Sequence, residues 1–200
     1  MMNANFWNER YSTDEFVYGK SPNHFFAKSI QDLTPSKMLL PCEGEGRNAV
    51  YASTLGWKVQ AFDQSVAGKQ KCDRLATEFQ TIVDYQISDA LHFEFLPNAY
   101  ECIGLIYAHF PPEIRTDIHR KIVTSLKLGG KLILEAFEPQ QLENESGGPK
   151  QANMLYSTDM LKEDFNNLKI ETLEVAVIEL DEGAHHQGKA NVIRLIAERV

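Results

Sequence analysis

Short apolar runs alternate with amphipathic stretches through the middle of the chain. Residues 37–42 (KMLLPC) are apolar and lead into the turn-rich EGEGRN; Ala49 to Leu55 then has helical spacing, and Gly56 stands where helix ends favour glycine. Trp57 to Phe62 alternates between Gly56 and Asp63 and predicts a second strand, followed by a helix from Val66 to Phe79. Thr81 to Ile87 predicts a third strand. Glu101 to Tyr107 predicts a fourth, nearly continuous in apolar residues as in a strand buried on both faces. Pro111 and Pro112 suit the first turn of a helix whose Ile114, Ile118, Ile122 and Leu126 recur every four residues, with Gly129 and Gly130 expected to close it. Lys131 to Phe137 is the fifth strand. Strands alternating with helices require crossovers, which place helices on both faces of a mainly parallel sheet.

The flanks differ. Up to residue 36 the chain is aromatic and turn-rich, with Phe6, Trp7, Tyr11, Phe16 and Tyr18 at no clean period; it predicts a flap and then a short helix from Pro22 to Leu33, ended by Pro35. Near the other end, the β-rich stretches Lys169 to Leu180 and Ala190 to Val200 are joined only by DEGAHHQGK, too short for a helical crossover. They are expected to pair antiparallel as a hairpin. Before them lie a loop, ENESGGPKQANMLYS, and a helix from Thr158 to Asn166. The expectation is one domain over residues 1–200: flap and helix to 36, an α/β core from 37 to 137, and loop, helix and hairpin from 138.

Composition narrows the partners. Lys plus Arg is 20 against 28 Asp plus Glu, a formal charge of −8, which repels phosphate backbones and anionic lipid headgroups. Nucleic acid and membrane are disfavoured. Cys42, Cys72 and Cys102 are odd in number and lack C-x-x-C spacing, so free thiols in a reducing compartment are expected. With no secretory pattern near the start and no apolar run of ~20 residues, the expected location is cytoplasmic. Oligomeric state is left open.

The chemistry concentrates in CEGEGRNA. Gly44 and Gly46 permit a tight turn and close backbone approach to a ligand, and with Ala49 the spacing is G-x-G-x-x-A. Asp63, about 20 residues on at the carboxyl end of the second strand, is placed to accept both hydroxyls of an adenosine ribose, with Gln64 beside it. The competing reading makes Asp63 a helix cap. Asp89, in ISDAL, is placed to accept from an adenine amino group with the Ala90 N–H on the ring nitrogen; capping a short helix at Ala90 explains it equally well.

The order LLPCEGEGRNAVYAS, VQAFDQS, ISDA, ECIGLIYAHFPPEIR, LKLGGKLILEAF resembles class I S-adenosylmethionine-dependent methyltransferases. More narrowly it is similar to the bacterial small-molecule branch containing tellurite-resistance and thiopurine-type enzymes. FWNERYSTDEFVYG before the sheet and EGAHHQGKA after it extend the likeness over most of the chain. The resemblance implies a Rossmann-like seven-stranded sheet with an antiparallel last strand, S-adenosylmethionine as cofactor and a small-molecule acceptor. Leu40 replaces the usual acid at the end of the first strand and Cys42 the usual first glycine, so Glu43 is the candidate partner for the methionine ammonium.

In this branch an N-terminal aromatic and basic segment covers the cofactor. Here Arg10 is placed to fork onto the donor's carboxylate, with Trp7 and Tyr11 covering its methionine chain or simply packing the segment down. His109, in YAHFPP, is the candidate base or acceptor-positioning group, with Tyr107 and Phe110 as aromatic walls; the alternative is a loop histidine between core aromatics. His119 reads as surface. His185 and His186 read as hairpin turn, without the i, i+4 helix geometry of zinc enzymes, so no metal site is proposed. The turn Gly147, Gly148, Pro149, Lys150 either shapes the acceptor pocket or is an ordinary turn. Two rivals remain. An NAD-dependent oxidoreductase shares the glycine spacing but needs a second mononucleotide half that the hairpin displaces; the other is a non-catalytic nucleoside-binding protein.

Overall fold

Met38, Leu39 and Leu40 are wholly buried in the strand β1, Lys37–Pro41, an interior strand of one sheet. The computed structural model describes residues 3–200; Met1 and Met2, which the expected flap includes, lie outside them. The other strands are β2 (Lys58–Asp63), β3 (Asp84–Ile87), β4 (Tyr100–Ile106), β5 (Leu126–Phe137), β6 (Lys169–Asp181) and β7 (Gln187–Glu198). They are ordered β3-β2-β1-β4-β5-β7-β6. β1 to β5 pair parallel, whereas β7 runs antiparallel to both β5 and β6. This is the seven-stranded sheet with a C-terminal hairpin that the patterning predicts.

Alternate residues of each strand point to opposite faces, so the sheet has two cores. Leu39, Ile103, Leu105 and Leu134 pack with Ile118 and Ile122 of α5 (Pro112–Ser125) and Leu161 of α6 (Thr158–Asp164). On the other face Met38, Leu40, Cys102 and Ile133 meet α2 (His24–Ile30), α3 (Arg47–Thr54) and α4 (Val66–Glu78). Each fully buried Leu, Ile or Phe contributes about 1.5–3 kcal/mol.

Four local expectations are corrected. The flap carries a helix, α1 (Ala4–Arg10), started by Asn3, whose side chain accepts from the Phe6 N–H. Seven residues hardly hold a helix in isolation; Asn8 ties it down by accepting from the Ser65 hydroxyl and the Ala67 N–H. α5 ends at Ser125, and Gly129 and Gly130 lie within β5 rather than closing the helix. β3 starts three residues late because the Thr81 N–H bonds back to Ala76 O, finishing α4. His119 is buried, not surface, and pairs through Nδ1 with Asp164 at 2.8 Å, because the inward stripe of α5 is wide enough to include it beside Ile118 and Ile122.

Candidate active site

Strand order reverses between β1 and β4, and in open α/β sheets the crevice beyond the carboxyl ends at such a point receives the ligand. The chain leaves β1 through Cys42 at φ 56, a left-handed value that favours glycine, the residue the resemblance leads one to expect there. Burial pushes its thiol far up, with Asp63, Asp89 and Glu43 adding to the effect. Cys42 therefore stays a neutral thiol.

Gly44 and Gly46 serve different ends. A Cβ on Gly44 (φ 59) would lie 2.6 Å from the Tyr11 hydroxyl, so this glycine lets the flap reach the turn. A Cβ on Gly46 (φ 88) would lie 2.3 Å from Cys72 Sγ, so that glycine packs α3 against α4 and does not face a ligand. Gly46→Ala is expected to cost at least about 1–3 kcal/mol from overpacking, read as a lower urea midpoint at unchanged slope. Gly44→Ala displaces only the tip of a side chain and is expected to cost less stability.

Asp63 lies under this turn, 7% exposed: Oδ2 accepts from Gly44 N at 3.2 Å and Oδ1 from Ser65 N at 2.9 Å. Burial pushes its carboxyl to about 6, although the Ser65, Gly44 and Gln64 amides pull the other way. The cap of α4 is Ser65, whose hydroxyl accepts from the Gly68 N–H, so capping does not explain Asp63. Gln64 follows it, its backbone amide on the Asp63 carboxylate.

Three other expected contacts are differently employed. Glu43 turns back into the first turn of α3, accepting from Ala49 N at 2.7 Å, and burial pushes it to about 7; it caps the helix rather than facing an ammonium group. Asp89 accepts from the Leu91 and His92 amides and from the His92 ring at 2.9 Å, capping a turn, and no helix follows at Ala90. Arg10 does not point outward as a free fork: it donates to the Tyr18 hydroxyl at 3.3 Å and lies over the Phe6 ring.

The flap is bolted to the turn. Both oxygens of the buried Glu45 accept from successive backbone amides, Val17 and Tyr18, and Oε1 pairs with Lys71 Nζ at 2.6 Å. From there a belt of rings runs from the flap to the end of β5. Trp7 stacks on Tyr11 at 5.5 Å; Tyr11 meets Tyr18 at 6.3 Å, and Tyr18 meets His186 at 4.5 Å. His186 meets Tyr107 at 4.8 Å, and Tyr107 stacks on Phe137 at 4.7 Å. Aromatic faces stabilise a cation placed against them.

Tyr107, at φ 53 beyond β4, donates through its hydroxyl to Glu135 Oε1, a wholly buried carboxylate also held by Asn23 and Arg194. His109 is not available as a base. Nδ1 donates to Met154 O at 2.7 Å, Nε2 accepts from Phe137 N at 3.2 Å, and burial holds the ring at about 4. It joins the loop after β5 to the end of β4.

Sequence reasoning missed Glu45, Lys71, Glu135 and His186. Lys71 and Glu135 carried a readable signal, a charge at an inward helical position and a charge inside an apolar strand. His186 carried none, since its burial depends on how the hairpin folds over the flap. Among the described residues no group of three His, Cys, Asp or Glu is placed to hold a metal, and no helix is long and apolar enough to cross a membrane.

No protein-family model matches the chain, and no curated protein matches it in sequence. Solved structures match it in fold. TehB from Haemophilus influenzae is 16% identical, covering 98% of this chain and 67% of its own, with a TM-score of 0.73. A SAM-dependent methyltransferase from Methanosarcina mazei is 15% identical over 90% of this chain and 99% of its own, at a TM-score of 0.67. A geranyl diphosphate methyltransferase solved with GPP and sinefungin is 14% identical over 98% and 97%, at a TM-score of 0.68. At these identities the likeness is one of fold, that of S-adenosylmethionine-dependent methyltransferases.

Proposed function

We propose that this chain, built on the class I methyltransferase fold, transfers a methyl group from S-adenosylmethionine to a small-molecule acceptor. The observation that carries the reading is Asp63: a buried carboxylate at the carboxyl end of β2, bonded to the glycine turn that ends β1 and not used as a helix cap. A nucleoside ribose offers two hydroxyl donors to such a group. In this reading the Ala90 amide meets the adenine edge, Gln64 flanks the ribose, and the turn from Cys42 to Gly44 backs the methionine end. Trp7 and Tyr11 close over it, and the aromatic belt faces the positive sulfonium.

Methyl transfer is an in-line displacement in which the protein chiefly holds donor and acceptor in line and excludes water, worth about 7–11 kcal/mol of the barrier. A small acceptor suits this site, because Glu45 holds the flap down on the turn and the net charge of −8 repels nucleic acid. The geranyl diphosphate enzyme is a fold neighbour that acts on a small molecule by its name. An NAD-dependent oxidoreductase has less support, since β6 and β7 occupy the place of a second mononucleotide half.

A thermal-shift comparison of S-adenosylhomocysteine, NADH and adenosine tests the reading. At a hundred times its dissociation constant S-adenosylhomocysteine is expected to add about 2.7 kcal/mol, with little from NADH. A larger shift with NADH overturns the proposal; a shift with S-adenosylhomocysteine but no turnover on any acceptor favours a non-catalytic nucleoside-binding protein.

A further inference from the structure

The sheet ends in two very different edges. β3, at one, has four residues, and so short an edge pairs poorly with another strand. β6, at the other, has thirteen, more than twice the usual length of about five or six, with no proline and a single lysine at its start. One register shift, between Ile170 and Thr172, interrupts it near that start. Among the described residues no backbone hydrogen bond beyond those to β7 reaches residues 170–180. The flap packs against the turn past this stretch, where a Cβ on Gly183 would fall on Val17 O. The outer row of N–H and C=O groups of β6 is therefore open to another strand.

The side chains along this edge match their own copy. On the face where Leu173 packs against the core, Val175 and Val177 follow at the period of a strand and are 50% and 60% exposed. In an antiparallel pair centred on Val175, that valine faces its own copy and Leu173 faces Val177 on either side of the centre. The Lys169 end of one copy then comes to the Asp181 end of the other. Opposed residues share a face, so the centre must fall on a residue. On Glu174 it would set two carboxylates against each other; on Ala176 it would set Leu173 against Glu179. The remaining acids have cations on their own chain: Glu171 pairs with Lys131 at 2.8 Å, Arg194 lies 4.0 Å from Glu174, and Lys189 stands opposite Glu179 on β7.

We propose that β6 is a self-association edge: a second copy of this chain pairs antiparallel with it across a twofold axis at Val175, joining two seven-stranded sheets into one. Residues 172–178 of both copies pair without reaching the register shift, which gives about seven backbone hydrogen bonds, within the usual range of about 10 ± 5 for an interface. The assembly closes at two copies, because each has one such edge and β3 is too short to prolong the sheet. β5 and β7 stand between this edge and the crevice beyond β1 and β4, so the pairing does not depend on the methyl-transfer reading.

Sedimentation at about 100 μM, where a dimer with a micromolar dissociation constant is nearly full, is expected to give twice the 22.7 kDa of one chain. Val175→Lys is expected to give the single-chain mass with unchanged circular dichroism, because two lysines then meet at the axis. Cross-linking reads the register. Residues directly opposed in an antiparallel pair have Cα atoms about 4.5–5.5 Å apart, within disulfide reach, so Val175→Cys should oxidise to a covalent dimer, whereas Val177→Cys, facing Leu173, should not. Wild type under the same oxidant is the unlinked control, its Cys72 and Cys102 being buried. Should Val175→Lys unfold, the cysteine variants decide alone, since a thiol is close to valine in size. A wild type at the single-chain mass, a species larger than two chains, a dimer that a folded Val175→Lys leaves intact, or cross-linking no better at 175 than at 177 overturns the proposal.

Discussion

Asp63→Asn is expected to lower the affinity for S-adenosylhomocysteine by ~10²-fold, measured by calorimetry. Each hydrogen bond to a charged group is worth about 1.5–3 kcal/mol; losing the charge and one acceptor while keeping the other oxygen places the effect near the lower end of two such bonds. Binding also acquires a pH dependence of definite sign. The ribose hydroxyls donate to the ionised carboxylate, and in the free protein burial holds that carboxyl at about 6 rather than in its ordinary range. Affinity is therefore full above about pH 6–7 and falls toward tenfold per unit as pH drops through 6, because the ligand must displace a proton. Asp63→Asn should flatten this profile. Wild-type affinity in the variant, or an unchanged slope, contradicts the assignment.

The second large effect is one of stability. Lys71 and Glu45 are 5% and 2% exposed in their side chains, and removing one member of a buried pair strands the other's charge. Lys71→Met is expected to cost about 3–5 kcal/mol in urea unfolding. The double variant with Glu45→Gln is expected to regain part of this, since a neutral amide still accepts from Val17 or Tyr18 and leaves no charge to strand. A single variant as stable as the wild type, or a double variant losing the sum of both singles, rules out the clamp.

The core of the fold was legible because it rests on local periodicity. Residues 38–41 are apolar, lead into a glycine turn and precede a helix, and that pattern alone gives β1, the turn and α3. Asp63 was legible too, since its place at the end of β2 follows from the strand pattern. The same reading erred wherever a side chain had two possible partners. Glu43, Asp89, Arg10 and His109 are correctly placed in the chain, yet each spends its hydrogen bonds on local backbone or a neighbouring ring. Competition between a nearby amide and a ligand depends on ångström distances that no spacing rule contains.

By itself the sequence determined the order of strands and helices, the hairpin at the end and the carboxylate under the glycine turn, all set by the period of apolar residues and by the short reach of a nine-residue link. Only the tertiary structure decided what stands opposite that carboxylate. The flap, the end of β4 and the β6–β7 turn are far apart in sequence, and the packing of Tyr18, Tyr107 and His186 against one another depends on how the sheet brings those loops to one edge. Long-range side-chain contacts leave no periodic trace along the chain, and for that reason His186 reads as part of a hairpin turn in the sequence and is a buried ring in the fold.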